Sequence, residues 1–137
     1  MNIPLYRFLI IFLLLSIASS TINGQINLDS TYTVSDLEQM LKDAQINRNK
    51  ENLAASYFLL AKFEAENFDN SGNAFKNYVN SREYYSILRD SFMMGRIDKA
   101  IGLEYLQSGY YQESLQSLTK ALAYFTKVED LENITYL

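Results

Sequence analysis

From Ser35 onward, apolar residues return every three or four positions along the chain and polar residues fill the intervals. That period belongs to helices with one buried face. Ile97, Ile101 and Tyr105 fall four apart and share a face, and after Ser108-Gly109, Leu115, Leu118, Leu122 and Phe125 mark a second stripe. A Ser-Gly pair stops a helix and supplies the positive φ of a turn, so the stretch Asp98–Ala121 predicts two antiparallel helices. Gly102 lies inside the first of them. Gly there costs about 1 kcal/mol against Ala, and close approach of Ser114 and Leu118 from the paired helix is the expected reason. Upstream, Ser35 and Glu38 have capping-box spacing, and Leu37, Leu41 and Ala44 continue one face to about Ile46. Asn47-Arg48-Asn49 breaks that helix. A second runs from about Glu51 to Glu66, with Leu53, Tyr57, Leu60, Ala61 and Phe63 inward. After a break at Asn67–Gly72, a third carries Phe75, Tyr78, Ser81, Tyr85 and Leu88.

A shift of forty residues turns that third stripe into Leu115, Leu118, Ala121, Phe125 and Val128. It also pairs Tyr57 with Ile97, Phe63 with Leu103, Glu64 with Glu104, Tyr84 with Tyr124 and Asp90 with Asp130. The run Asp98-x2-Ile101-Gly102-x2-Tyr105, then Ser114-x3-Leu118 and Ala121, resembles a tetratricopeptide repeat (TPR). It departs from that pattern at Asp98, where Trp is usual, at Ser114 for Ala, and at Thr126 for Pro. The resemblance is specific over 90–129 and extends loosely over 35–137. It implies an all-α fold, a helical-hairpin solenoid in which antiparallel pairs stack as a right-handed TPR-like superhelix. Such repeats typically have 34 residues, so about six extra need a place, and the link between repeats is the expected one. HEAT-like repeats are the structural alternative, but they lack the Gly102–Tyr105 pairing.

The first 24 residues are different material. Arg7 precedes Phe8–Leu15, an unbroken apolar run too short for a bilayer span of about 20 residues and suited to a signal-peptide core. Ala18-Ser19-Ser20 and Asn23-Gly24 offer cleavage points. The expected organisation is a signal peptide over 1–24, a polar linker over 25–33, and a TPR-like domain over 34–137. The product would be exported, periplasmic or secreted. The alternative is an uncleaved anchor, and the N-terminal segment would then be the chain's one attachment to a membrane. At the other end, Leu131, Ile134 and Leu137 match the start of a further first helix with no second helix following. The repeat domain therefore reads as incomplete, with an uncapped end open to self-association.

Composition narrows the chemistry. The chain has no Cys and no His, which removes thiolate zinc sites, disulfides, Cys nucleophiles and a Ser-His-Asp triad. A net charge of −4 argues against nucleic acid. Asp69–Asn73 begins like a calcium loop but lacks its later acidic ligand, and Asn133-Ile134-Thr135 is a short glycosylation-type match of little weight. The pairs Tyr84-Tyr85 and Tyr110-Tyr111 are expected in core or inter-repeat packing. No pair of carboxylates suits acid-base work, so no enzyme, no cofactor and no metal are expected. By the resemblance, first helices line a concave groove for a protein or peptide ligand. That groove would present Arg96, Lys99, Leu103, Leu106 and Gln107, with Ser56, Leu59, Phe63, Glu66 and Asn67 at the forty-residue shift. The function expected is a non-enzymatic interaction module or scaffold. The alternative is the extracytoplasmic sensor part of a membrane-bound signalling protein, such as a sensor histidine kinase.

Overall fold

The computed structural model describes residues 26–67 and 71–128. These form α1 (Val34–Asn47), α2 (Lys50–Asn67), α3 (Ser71–Leu88), α4 (Ser91–Gln107) and α5 (Tyr111–Val128), with no strand among the described residues. The protein is all-α. Each helix packs chiefly on its neighbours in sequence, and the tightest pairs are α2 with α3 and α4 with α5. The last four helices are 17 or 18 residues long, and only Arg89 and Asp90 separate α3 from α4.

The described turns share one device. Arg48, Arg89 and Gly109 each adopt positive φ, at 53°, 59° and 79°. The next residue's N–H reaches back to close the preceding helix: Asn49 to the Ala44 carbonyl at 3.1 Å, Asp90 to Tyr85 at 3.0 Å, Tyr110 to Tyr105 at 2.9 Å. This is Schellman-type closure. That same next residue begins the following helix, since Asn49 accepts from the Asn52 N–H at 2.8 Å and Asp90 from Met93 at 2.9 Å. The Arg junctions recur one position off the forty-residue shift that relates the ends of α3 and α5.

The first cap falls earlier than the Ser35–Glu38 spacing implies. Thr33 and Asp36 make the reciprocal box, with the Asp36 N–H donating to Thr33 Oγ1 at 3.2 Å and the Thr33 N–H donating to Asp36 at 3.0 Å. Both pairs satisfy the same pattern, and the earlier one starts the helix at Val34. The stretch expected as a polar linker also does more than connect. Ile26, Leu28 and Tyr32 pack against the core, and the Tyr32 hydroxyl donates to the Asn27 carbonyl at 3.0 Å.

Leu37, Phe58, Tyr78, Tyr85, Ile97 and Ile101 are among the residues of one continuous core. On α5 the buried residues are Ser114, Ser117, Ala121 and Phe125, whereas Leu115 and Leu122, expected inward, are exposed. The cause lies on α4. A Cβ on Gly102 would meet Leu118 Cδ2 at 2.7 Å, and one on Gly95 would meet the Phe125 ring at 3.0 Å. Two helices this close favour small residues along the seam, and Leu118 enters it only over the bare Cα of Gly102. The Ser114 hydroxyl fills such a position and donates to the Gly102 carbonyl at 2.8 Å.

Candidate protein-binding face

The residues expected to line a groove separate into three groups. Ser56 and Leu59 belong to the core, with Ser56 fully buried, so neither presents to a ligand. The chain's own N-terminal stretch faces Leu59 across a cleft. A cleft of about 240 Å³ lies between Ser30, Thr31 and Tyr32 on one side and Leu59, Phe63 and Glu66 on the other. Phe63 is half-buried there, and Glu66 and Asn67 are exposed at the end of the helix. Glu66 stands 3.9 Å from Lys62, and Asn67 donates to the Phe63 carbonyl at 2.8 Å.

Arg96 forms a group of its own. Its guanidinium lies 5.3 Å from the centre of the Phe58 ring and 6.0 Å from that of Phe92. This half-buried cation ties α4 to α2 through ring faces. Lys99 is also half-buried. The third group is open: Leu103 at 40% exposed and Leu106 at 47%, with Gln107 exposed beside them. Leu103 is three positions from Leu106 and four from Gln107, so they form one continuous strip, which borders the glycine seam because Leu106 lies one turn from Gly102 on the same side of α4.

One charge pair has no signal in the sequence pattern. Asp98 is 3% exposed and takes both arms of Arg82 from α3, Nε at 2.7 Å and Nη2 at 3.1 Å. Hydrogen bonding to Asp98 raises the Arg82 pKa above its ordinary value, while burial opposes the rise. The fork joins α3 of one tight pair to α4 of the other, and with both partners satisfied it offers no free group for acid-base work. Sixteen residues separate the two, so only tertiary structure brings them together. The tyrosine pairs also divide. Tyr84 stacks on Tyr57 at 6.0 Å and Tyr85 is buried, as packing residues. Tyr110 and Tyr111 are 58% and 70% exposed, contrary to expectation, because they sit at the turn into α5.

Among the described residues, no group of three or more His, Cys, Asp or Glu could hold a metal ion. Among the same residues, no helix is long and apolar enough to cross a membrane. The signal-peptide and chain-end expectations fall on residues outside those described. Comparison with protein-family models, curated proteins and solved structures finds no match for this chain.

Proposed function

We propose that the chain is a non-enzymatic interaction module of the TPR type, which holds a peptide or protein segment along the open face of α4. The observation that carries this is the strip of Leu103 and Leu106 beside Gln107. Two adjacent exposed leucines at the margin of the α4–α5 seam make a natural seat for an apolar side chain of a ligand. The solenoid reading draws on the matched Arg48 and Arg89 junctions and on the forty-residue correspondence between α3 and α5. On this reading, the chain's own Ser30–Tyr32 stretch borders the α2 end of the groove, and α4 is the part that offers exposed leucines. Export is proposed with it, on the apolar run Phe8–Leu15.

A photo-crosslinking residue at Leu103 in the full chain, expressed in its native cell, tests this. One discrete adduct is expected from position 103, lost on Leu106→Glu and not formed from Lys120, which is exposed on α5. The same adducts from both positions, or an adduct indifferent to Leu106→Glu, would overturn the assignment to α4.

A further inference from the structure

On the side of α4 away from that strip, three aromatic rings from three elements meet at one cleft. Phe75 of α3, Tyr105 of α4 and Tyr110 of the turn line a volume of about 190 Å³ together with Gly72, Glu104 and Ser108. Tyr105 stands in the middle, 5.2 Å from Phe75 and 6.1 Å from Tyr110 between ring centres. The turn explains how the third ring arrives. Positive φ at Gly109 and the bond from the Tyr110 N–H to the Tyr105 carbonyl hold Tyr110 beside Tyr105, yet its side chain remains mostly in solvent.

Packing does not account for the carboxylate in this wall. Glu104 is half-buried among the rings, and burial holds its pKa above the usual carboxylate value. Burial raises the pKa of the Tyr78 phenol, and the charges of Glu104 and then Glu66 add to the rise. Aromatic faces carry negative electrostatic potential, and a carboxylate beside them adds a full negative charge. A wall of this kind attracts cations. Its composition selects among them. A primary ammonium brings three N–H donors that require acceptors, whereas this cleft offers mainly aromatic carbon. A quaternary ammonium brings methyl groups and a diffuse charge with no donor to satisfy.

We propose that the cleft of Phe75, Tyr105, Tyr110 and Glu104 binds a quaternary ammonium group. The site is separate from the Leu103–Leu106 strip and does not depend on that assignment. The group could come from a free small molecule such as choline or from a trimethylated lysine side chain.

Calorimetric titration of the full chain tests it, with choline, N-acetyl-trimethyllysine amide and the uncharged choline isostere 3,3-dimethylbutan-1-ol as probes. Saturable binding of choline or of the trimethyllysine amide is expected, with the tighter of the two naming the source. The uncharged isostere should bind at least about tenfold more weakly, because the shape is kept and the cation–π and charge attractions are removed. Tyr110→Leu and Glu104→Gln, with helical circular dichroism unchanged, should each weaken the charged probe about fivefold or more. Tyr111→Leu, an exposed ring that does not line the cleft, should have no effect. Failure of both charged probes to saturate, equal binding of the isostere, or equal weakening by Tyr111→Leu would overturn the proposal. None of these outcomes bears on the crosslinking at Leu103.

Discussion

Replacing Gly102 by Ala sets two known effects against each other. In an open helix the change would stabilise by about 1 kcal/mol. Here the added methyl would stand 2.7 Å from Leu118 Cδ2, 2.8 Å from its Cγ and 3.3 Å from its backbone nitrogen. The Cδ2 atom can swing away, at an off-rotamer cost of about 0.5–1.5 kcal/mol. The Cγ and nitrogen positions are tied to α5 itself, so the helices must also separate by a few tenths of an ångström. That movement stretches the buried bond from the Ser114 hydroxyl to the Gly102 carbonyl, worth about 1 kcal/mol. Overpacking of this kind costs roughly 1–3 kcal/mol. The net expectation is a loss of about 1 kcal/mol despite the better helix former, and a larger loss for Gly102→Leu. For a domain of this size the loss is a fall in melting temperature of about 4–8 °C. The decisive assay is a double-mutant cycle by chemical denaturation with Leu118→Ala. Removing the obstructing side chain should make Gly102→Ala less harmful by about 1 kcal/mol, a coupling expected only of residues in contact. A rise in stability for Gly102→Ala alone, or no coupling to Leu118, would refute the close-approach argument.

Four further outcomes follow from named contacts. Arg89→Gly and Arg48→Gly relieve a side chain of its left-handed backbone and should each stabilise by about 0.5–1 kcal/mol in urea titrations. Asp98→Ala strands the Arg82 guanidinium and should cost about 2 kcal/mol, a moderate figure because the Arg82 side chain is 32% exposed; the double variant Arg82→Met with Asp98→Leu should recover most of it. The hydroxyl of fully buried Ser56 has no hydrogen-bond partner among the described residues, so Ser56→Ala should raise the melting temperature, by about 1 kcal/mol of stability. Burial, then the charge of Asp90, pushes the Tyr85 pKa up to about 12, against about 10 in the unfolded chain. Both states keep that proton below pH 10, and between about 10 and 12 only the folded state keeps it. Stability should therefore fall with rising pH across that window, and Tyr85→Phe should flatten the slope in alkaline denaturation curves.

The helices and the breaks between them were legible because each rests on local signals: an apolar period, an Asx cap, a Ser-Gly stop. The faces were less so. Periodicity records which residues are apolar and carries no information on how near the opposing helix comes. On that account Leu115 and Leu122 read as core, while Ser114 and Ser117 hold the seam. Gly102 stood out by the break it makes in an apolar stripe. Gly95 plays the same part near the start of α4 without such a signal. Ser56 and Leu59 read as ligand-facing, yet both are buried; the Ser30–Tyr32 stretch that shares a cleft with Leu59 is too short and polar to show a period. The exposed pair Tyr110-Tyr111 was misread for a related reason. Tyrosines at helical spacing usually pack, but these follow a left-handed Gly that turns the chain outward.

The turns closed at Arg48, Arg89 and Gly109 also bear on how quickly the chain reaches this structure. Their bonds span five residues or fewer, and the tertiary ties between helices remain within about one helical hairpin of sequence. The Ser114–Gly102 bond spans 12 positions, the Arg82–Asp98 fork 16 and the Ser81–Ala54 bond 27. Little chain entropy is surrendered before any of these contacts begins to stabilise the growing structure. Topologies so dominated by neighbours in sequence fold in about microseconds to milliseconds. Stopped-flow refolding should then finish largely within the mixing dead time. Each hairpin can close on its own before docking, and the α4–α5 pair, with its glycine seam, is the natural place for the search to begin.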